Sequence, residues 1–447
     1  MSELWIGTIC LLASLVLIQT GMHIGVALML LSFVGVWALK GIVVAGKLLG
    51  SSVSTSIASD AYAVIPLFVL MGLFVSNTRV GRDTFDVAAL ALGKVRGGLG
   101  LATVAANAIF SACTGTSIAS ASVFTKVAVP EMVRHGYTPK FSAGVVAGSS
   151  ILGMLIPPSI LMIIFGIIAN TSIADLFKSG ILPGILMAIA FCITILLVAR
   201  LKPEFVATDP KVLEEGHRGP LVGASMVTVA LKFLPIVILI GTVLGGIYGG
   251  FLTTTEAGGA GALAGLLIAI ARREMSLKVF WQVALETGRV TAAICFLLMA
   301  AALYAQMLTL SGLPYTVGQW LQNAQLPFLV ILVGYLIVVI ILGCFLDSVS
   351  IMLIVLPFVI PVFETFDVNI VWFGLISIIA IEIGLLTPPL GLAVFVVKAN
   401  LEDQSTTTWQ IFMGTLPMTF TMFVVLIICV LFPWLALAPV GVSWSWW

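Results

Sequence analysis

Two double prolines interrupt long apolar segments of this sequence at corresponding positions. Residues 153–158 read Gly-Met-Leu-Ile-Pro-Pro inside an apolar run from Ser142 to Asn170. Residues 384–389 read Gly-Leu-Leu-Thr-Pro-Pro inside a second apolar run, 231 positions later. Consecutive prolines cannot continue the hydrogen-bond ladder of a helix, and each pushes the residue before it away from helical dihedrals. We therefore expect each run to form a helix that breaks near its middle.

The apolar character of the chain places these breaks in a membrane. Of the 447 residues, 61% are hydrophobic and 9% are charged. A soluble domain cannot cover that much apolar surface, so the sequence predicts an all-α polytopic membrane protein. Lipid cannot satisfy the backbone groups that a helix break frees, so each break must face protein or a polar cavity. Broken helices at corresponding positions of two halves are typical of the binding site of a secondary transporter.

Charge, cysteine and histidine usage argue against other function classes. The net charge of +1 gives no reason to expect a nucleic-acid partner. The six cysteines lie in apolar segments without metal-ligand spacing, which favours packing roles over a metal site or a disulfide framework. The three histidines have no nucleophile or metal ligand near them in sequence. We therefore expect no enzyme activity, no cofactor and no metal other than sodium. Residues 1–4 have no basic cluster, so the first segment is expected to stay in the membrane uncleaved.

Apolar runs predict ten membrane crossings and two re-entrant hairpins. The crossings are expected near 4–20, 22–39, 61–78, 142–170 (broken), 177–199, 222–247, 257–271, 291–310, 370–398 (broken) and 410–434. Two further apolar stretches, 99–126 and 327–363, are each interrupted by small and polar residues near the middle. Because each half is short for a crossing, both stretches are interpreted as hairpins whose tips reach mid-membrane.

The offset between the two double prolines brings crossings, hairpins and breaks of the two halves into one gap-free register. Each repeat then has five crossings and one hairpin. Because five is odd, the second repeat is predicted to be inverted relative to the first. The predicted layout is a first repeat at 1–199 (scaffold helices 4–39, interfacial arm 41–58, transport part 59–199), a cytoplasmic linker at 200–221, a second repeat at 222–434 (scaffold helices 222–271, interfacial arm 272–289, transport part 290–434) and a periplasmic tail at 435–447.

The distribution of basic residues predicts the orientation. With the N-terminus outside, 16 of the 20 Lys and Arg residues fall in cytoplasmic loops, and Lys232 falls within a crossing. The positive-inside rule therefore favours both termini on the periplasmic side. The first hairpin then enters the membrane from the cytoplasm and the second from the outside.

The hairpin tips and the breaks are the candidate sodium sites. Sodium takes several oxygen ligands, and an unwound membrane helix offers carbonyl oxygens beside Ser and Thr hydroxyls. The first predicted site joins Ser111 and Thr114 of a hairpin tip to a break at Gly153, Ile156 and Pro158. The alternative for this Ser/Thr-rich tip is helix packing, since small residues mediate contacts between membrane helices.

The second predicted sodium site uses residues at the corresponding positions of the second half. They are Gly343 of the hairpin and Gly384, Thr387 and Gly391 around the break.

Four further tip residues, Thr116, Ser117, Asp347 and Ser348, are candidates for substrate binding or coupling. A carboxylate in an apolar segment is costly and indicates function by default. Asp347 is equally well explained as the N-cap of the second half of its hairpin. Glu382 lies one turn before its break and is expected to pair with a basic residue.

Several of these segments together resemble one family. They are residues 110–117 (Phe-Ser-Ala-Cys-Thr-Gly-Thr-Ser), 129–132 (Val-Pro-Glu-Met), 152–159 (Leu-Gly-Met-Leu-Ile-Pro-Pro-Ser), 343–347 (Gly-Cys-Phe-Leu-Asp) and 386–392 (Leu-Thr-Pro-Pro-Leu-Gly-Leu). The chain resembles, over nearly its whole length, the large membrane subunit of tripartite ATP-independent periplasmic (TRAP) transporters. It departs from the family pattern at Ser149 and Ser150, where glycines are common, and at Ala393, where asparagine is common.

The resemblance implies a bacterial inner-membrane transporter that takes up an organic acid anion with a sodium gradient. It implies two protein partners, a periplasmic substrate-binding protein and a small four-helix membrane subunit, the latter expected as a separate chain. It also implies an elevator motion of hairpins and broken helices against a scaffold. The alternatives are a standalone sodium–carboxylate symporter without a binding protein, a passive channel, and an intramembrane enzyme, for which no nucleophile–base pair or metal cluster is evident.

Overall fold

A computed structural model describes residues 3–209, 211, 213 and 225–442. Within these residues the chain is helical, with one isolated β-bridge between Tyr137 and Ala207 and no strand. This confirms the all-α prediction for the described residues. The helices are α1 Glu3–Gln19, α2 Ile24–Lys40, α3 Ile42–Ile57, α4 Val64–Ser76, α5 Val80–Leu92, α6 Gly98–Thr114, α7 Ser117–Arg134, α8 Pro139–Ser150, α9 Leu152–Leu155, α10 Ile160–Ile168, α11 Ile173–Leu201, α12 Pro203–Val206, α13 Met226–Tyr248, α14 Thr254–Ala271, α15 Leu277–Ser311, α16 Leu313–Asn323, α17 Phe328–Gly343, α18 Ser348–Glu364, α19 Ile370–Gly384, α20 Leu392–Asn400, α21 Thr408–Leu431 and α22 Trp434–Leu437.

Several of these helices have the length and composition of membrane spans. Five described helices, α11, α13, α14, α15 and α21, are long and apolar enough to cross a bilayer on their own. The bent pair α8–α9 with α10, which turns by 42°, and the pair α3 with residues 60–76, which turns by 53°, raise the number to seven if each counts as one span. Six shorter helices are also apolar. They include three of the four arms of the predicted hairpins, α6, α17 and α18, but not α7.

The helix boundaries of the two halves recur at the predicted spacing. The hairpin helices α7 and α18 begin at Ser117 and Ser348, which are separated by the same offset as the two double prolines. The broken helices begin at Pro139 and Ile370, again at that offset. The same spacing relates the ends of two short helices, α5 at Leu92 and α16 at Asn323. Neither helix was predicted from the apolar runs.

Most of the predicted interfacial arm at 272–289 is continuous with the helix that follows it. The structure has one 35-residue helix, α15, that contains most of the predicted arm together with the crossing after it. No proline or N-cap side chain interrupts the chain around Gly288, and a single glycine costs a helix only about 1 kcal/mol. In the first half, by contrast, α3 ends at Ile57 and a 3₁₀ turn at Asp60–Ala63 separates it from α4.

One set of helices packs through glycine-lined faces. Gly258, Gly261 and Gly265 of α14 lie against the side chains of Leu67, Phe68, Met71 and Phe74 on α4. Gly25 and Gly35 of α2 lie in the same way against α15. Small residues let membrane helices approach closely, so α2, α4, α14 and α15 form a tight group.

A second set contains the hairpins and broken helices of both halves. Gly144 of α8 meets the backbone of Gly414 on α21. The Ser122 hydroxyl of α7 donates to the Asn400 side-chain oxygen at 3.0 Å, which joins the first hairpin to the second broken helix. Phe165 of α10 packs on Gly374 of α19. The two predicted binding regions therefore belong to one continuous packed unit.

A partly buried ion cluster attaches α5 to helices of the second half. Lys232 Nζ lies 2.8 Å from Asp83 Oδ1 and 2.7 Å from Asp86 Oδ2, and Arg272 Nη1 lies 2.5 Å from Asp83 Oδ2. The two carboxylate side chains are only 12% and 10% exposed. Lys232, a cation within a predicted crossing, thus has its compensating charges on a helix that the apolar pattern did not reveal.

Two predicted segments fall mainly outside the described residues. Of the linker 200–221, the structure describes residues up to 209 together with 211 and 213. The predicted periplasmic tail is described up to residue 442.

Candidate functional site

The first break lies directly against the tip of the first hairpin. Helix α9 ends at Leu155, the Pro157–Pro158 bond is cis, and α10 begins at Ile160. The Ile160 N–H donates to the Gly115 carbonyl at 3.1 Å, which ties the start of α10 to the hairpin tip. The Ser159 hydroxyl donates to the Met154 carbonyl at 2.6 Å and accepts from the Met162 N–H. These hydrogen bonds satisfy some of the backbone N–H and C=O groups that the break leaves without helical partners.

Two glycines allow backbone contact between this tip and this break. Gly115 has φ +65°, and a Cβ built on it would lie 2.7 Å from the Pro158 carbonyl oxygen. A Cβ built on Gly153 would lie 2.8 Å from the Thr116 carbonyl oxygen and 3.2 Å from the Ser117 nitrogen. Because a side chain at either position would meet backbone, only glycine permits this approach. Five of the predicted tip and break residues therefore lie at or beside one contact between tip and break. They are Gly153, Pro158, Thr116, Ser117 and the neighbouring Ile156.

The hydroxyls of Ser111 and Thr114 differ in their bonding. The Thr114 hydroxyl donates to the Phe110 carbonyl at 3.3 Å, and the buried Ser111 hydroxyl has no hydrogen-bond partner. A hydroxyl that donates its hydrogen to a carbonyl keeps its oxygen lone pairs for another ligand. A buried hydroxyl with no partner is uncommon and calls for a ligand or water.

A buried polar network lies one turn from Ser111 and was not foreseen. The Asn107 amide donates to the Ser149 hydroxyl at 2.6 Å, and the Ser120 hydroxyl donates to the Asn107 side-chain oxygen at 2.7 Å. All three side chains are fully buried. Asn107 thus joins both arms of the first hairpin to the first half of the broken helix. The sequence signal that could have found it is an asparagine in an otherwise apolar helix.

The second hairpin and the second break meet through two glycines. A Cβ built on Gly343 would lie 2.7 Å from Gly384 Cα, and one built on Gly384 would lie 2.5 Å from Gly343 Cα. The Pro388–Pro389 bond is cis, and the Leu390 N–H donates to the Cys344 carbonyl at 3.2 Å. The predicted pairing of hairpin and break residues therefore recurs in the second half.

The remaining residues of the second predicted site are less enclosed. The Thr387 hydroxyl donates to the Ile383 carbonyl at 2.8 Å, so its lone pairs are also free. Gly391 has φ +47° and lies against the ring of Phe412. Pro388, Pro389 and Leu390 are exposed, whereas Pro157 and Pro158 are buried.

The structure separates the roles of the two intramembrane acids. Asp347 caps α18 by accepting from the Ser350 N–H at 3.2 Å and from the Ser350 hydroxyl, which is the capping alternative. Glu382 is 1% exposed and accepts from the Ser348 hydroxyl at 2.9 Å. The expected pairing of Glu382 with a basic residue is wrong, because its contact is a serine on the hairpin and no ion pair to it is found among the described residues. Sequence spacing places Glu382 one turn before the break but cannot show which face of α19 it occupies.

A cavity of about 690 Å³ opens between α3, the α10–α11 loop, α15 and α18. Its polar lining includes Ser56, Asn170, Gln306 and Glu364. Among the lining residues that the structure describes, Glu364 alone carries a charge. The cavity therefore offers no cationic group for an organic anion, and none of the predicted sodium ligands lines it.

The chain matches known proteins over nearly its whole length. Residues 11–435 match the family model described as the tripartite ATP-independent periplasmic transporter, DctM component. Over 337 residues the chain is 35% identical to the C4-dicarboxylate TRAP transporter large permease protein DctM of Pseudomonas aeruginosa, covering 75% of this chain and 76% of that protein. Over 411 residues it is 30% identical to the isethionate TRAP transporter permease protein DctMQ of Oleidesulfovibrio alaskensis, covering 89% of this chain and 62% of that protein.

A solved transporter structure shares the fold. The YdaH transporter of Alcanivorax borkumensis superposes with a TM-score of 0.63 at 15% identity, over 88% of this chain and 89% of that one. At this identity the likeness concerns the fold alone. The family match and the permease relatives confirm the resemblance seen in the motifs. This chain belongs to the DctM component family of tripartite ATP-independent periplasmic transporters, the large permease subunits of multi-pass membrane transport systems.

Proposed function

We propose that this chain is the large transmembrane subunit of a secondary transporter that takes up an organic acid anion with a sodium gradient. The observation that carries the proposal is the backbone contact between each hairpin tip and the facing Pro-Pro break, at Gly115 with Pro158 and at Gly343 with Gly384. Such a contact brings the backbones of two elements together. A sodium ion bound there stabilises both elements together.

The family and the relatives support a substrate class and two partners for this proposal. Relatives are named for a C4-dicarboxylate and for isethionate, both small organic anions. We propose that a periplasmic binding protein delivers such an anion and that a small four-helix membrane subunit completes the complex in the bacterial inner membrane. For a chain with this transport role we propose no enzyme reaction and no cofactor. Both termini are proposed to be periplasmic, because 16 of the 20 basic residues then fall in cytoplasmic loops.

The proposed mechanism is alternating access by two inverted repeats. We propose that the hairpins and broken helices move as one unit against the scaffold helices predicted at 4–39 and 222–271. A transport unit loaded with sodium has its tips fixed to its breaks, whereas an unloaded one leaves carbonyl oxygens unsatisfied at mid-membrane, which costs a few kcal/mol for each dry group. Sodium and substrate then tighten each other's binding by the same factor, because linkage is reciprocal.

We propose one sodium site in each repeat, with the ligands predicted from the sequence. The first comprises the hydroxyls of Ser111 and Thr114 with carbonyls near Gly153, Ile156 and Pro158. The second comprises Gly343, Gly384, Thr387 and Gly391. In the first site, the Ser111 hydroxyl without a partner supports the assignment. In the second, the free lone pairs of Thr387 support it.

Reconstitution tests the proposal. The chain is placed in liposomes with its small subunit and with the binding protein loaded with radiolabelled succinate or isethionate. We expect uptake that requires all three proteins and an inward sodium gradient. Robust uptake of free substrate by this chain alone would instead identify a standalone symporter, and uptake that ignores sodium would refute the ion assignment.

A threonine variant tests the ligand set. Thr387→Val keeps the shape of the side chain and removes the oxygen, so we expect the sodium concentration for half-maximal uptake to rise by about tenfold, as for one lost contact to a charged group. The control is Thr316→Val, because Thr316 is exposed and makes the same bond to a carbonyl four residues earlier, 2.9 Å from Gly312 O. An unchanged sodium dependence in Thr387→Val would remove this side chain from the site.

A further inference from the structure

A second groove, of about 400 Å³, lies between the end of α4 and the start of α15. The rings of Phe74 and Phe280 stack with centroids 6.1 Å apart, which holds these ends of the two helices together. None of the described residues that line the groove belongs to a predicted sodium site. Its lining includes Leu73 and Asn77 from the α4 side and Gln282, Leu285, Glu286 and Arg289 of α15.

The charge pattern of α15 places this groove at the headgroup level of the membrane. The 22 residues from 290 to 311 carry no charge and span about 33 Å as a helix, close to the thickness of a hydrocarbon core of about 30 Å. Arg289 is the last charged residue before this stretch, so it lies where the crossing begins. Asn77 follows α4 and comes two residues before Arg79, where the uncharged run of α4 ends. Trp281 is 63% exposed, as is common for tryptophan at the membrane–water interface.

The groove carries one positive and one negative side chain that hold each other weakly. Among the described residues that line it, the charged ones are Arg289 and Glu286, and Arg289 Nη1 lies 3.6 Å from Glu286 Oε2. Their side chains are 76% and 50% exposed, and an ion pair so exposed contributes little to stability. Each group can therefore bind a ligand that carries the opposite charge.

We propose that the groove binds phosphatidylethanolamine, a zwitterionic phospholipid whose headgroup has one phosphate and one primary ammonium group. The Arg289 guanidinium presents paired N–H donors that match phosphate oxygens. The Asn77 amide donates one hydrogen to the Leu73 carbonyl at 2.9 Å and has a second for the phosphate. The Glu286 carboxylate accepts from the ammonium, which has three N–H donors.

The apolar part of the groove accommodates the start of an acyl chain. Leu73 and Leu285 form this part, and Leu285 is 46% exposed. A lipid held in this way contacts both α4 and α15 and stabilises their packing. In the proposed orientation it belongs to the cytoplasmic leaflet. The inference does not rest on the proposed transport function, because it requires only that the chain spans a membrane.

Native mass spectrometry of the full-length chain, purified in detergent and stripped of lipid, tests the site. The probes are phosphatidylethanolamine and phosphatidylglycerol with the same acyl chains, because the second lipid keeps the phosphate and lacks the ammonium. We expect phosphatidylethanolamine to bind about fivefold more tightly, as for one exposed charge contact. Arg289→Gln is expected to weaken both lipids by about fivefold, whereas Glu286→Gln weakens phosphatidylethanolamine alone.

The control is Lys178→Gln, which removes the cation of another pair three residues apart, at 3.3 Å and outside the groove. We expect this variant to bind both lipids like the wild type. Phosphatidylethanolamine is also expected to raise the melting temperature of the wild type and the control more than that of Arg289→Gln or Glu286→Gln. Equal lipid binding by the control and both groove variants would overturn the proposal. Phosphatidylethanolamine binding that is unchanged in Glu286→Gln would refute recognition of the ammonium. Displacement of the lipid by an equal concentration of glycerophosphoethanolamine would assign the groove to a soluble phosphate ester instead.

Discussion

Gly343→Ala is the substitution that most directly perturbs the contact between the second hairpin and its break. The new Cβ would lie 2.7 Å from Gly384 Cα and 3.0 Å from the Ile381 carbonyl oxygen. Carbon atoms in contact normally lie about 3.5–4.0 Å apart. Because the atoms met are backbone, no side-chain rotation relieves the overlap, and α17 has to move away from α19 by about 1 Å to restore that separation.

The expected magnitude follows from that overlap. Forcing one methyl group into packed atoms costs about 1–3 kcal/mol. If the closed contact is what sodium stabilises, the whole of this cost weakens sodium binding, and a cost of about 1.4 kcal/mol corresponds to a factor of ten. We therefore expect the sodium concentration for half-maximal uptake to rise by about 5- to 150-fold, with a smaller sodium-dependent rise in the melting temperature of the purified protein.

Gly334→Ala is the matched control on the same helix. No atom lies within 4 Å of a Cβ built on Gly334, so this change supplies only the higher helix propensity of alanine. We expect its sodium dependence to equal that of the wild type. If Gly343→Ala also behaves like the wild type in both assays, the hairpin–break contact does not control sodium binding and the reasoning fails.

Three further predictions concern individual side chains, each measured by thermal unfolding in detergent. Ser111→Ala is expected to leave the melting temperature unchanged without sodium, because its hydroxyl has no partner to lose, and to reduce the rise that sodium produces; an equal rise would exclude Ser111 as a ligand. Asn107→Ala removes the acceptor of the buried Ser120 hydroxyl and is expected to cost about 1–3 kcal/mol, whereas exposed Asn77→Ala costs little; equal effects would contradict the network. Lys232→Met leaves Asp86 without its cation and is expected to lower the free energy of unfolding by about 1–3 kcal/mol. Lys178→Met, in a pair that is about one-third exposed, is expected to lower it by less than about 0.5 kcal/mol. An unchanged stability in Lys232→Met would show that the cluster does not stabilise the fold.

The breaks and hairpins were predictable because their signals are local. Proline lacks a backbone donor and fixes its own dihedral, and the double prolines at 157–158 and 388–389 each coincide with a helix break. Glycine and serine at the hairpin tips likewise act within one turn of the chain. The register shared by the two halves then follows from comparing two such local patterns.

Features that depend on neighbouring helices were not predictable. The structure has no helix boundary between the predicted arm at 272–289 and the crossing after it, because α15 continues through both. Helices α5 and α16 do not form continuous apolar runs in the sequence, because their apolar residues occupy one face only. The partners of Lys232 lie 146 or more residues away in sequence, which no local pattern reveals.

The candidate site likewise combines features that local sequence determines with features that tertiary packing determines. Gly153 was identified from its place in the first break, and its contact with the backbone of the hairpin tip explains why glycine is required there. The orientation of a helix about its own axis decides whether Glu382 faces a basic residue or Ser348, and that orientation is set by tertiary packing. The sequence identified the acid correctly as unusual but assigned it the wrong partner.

Sodium movement accompanying substrate tests the central claim most directly. In the complete reconstituted complex, radioactive sodium and radiolabelled substrate are followed together at fixed membrane potential and pH. The account predicts sodium entry that accompanies each substrate taken up, that stops when substrate or binding protein is omitted, and that needs higher sodium concentration in Gly343→Ala. Substrate uptake with no accompanying sodium entry would contradict it.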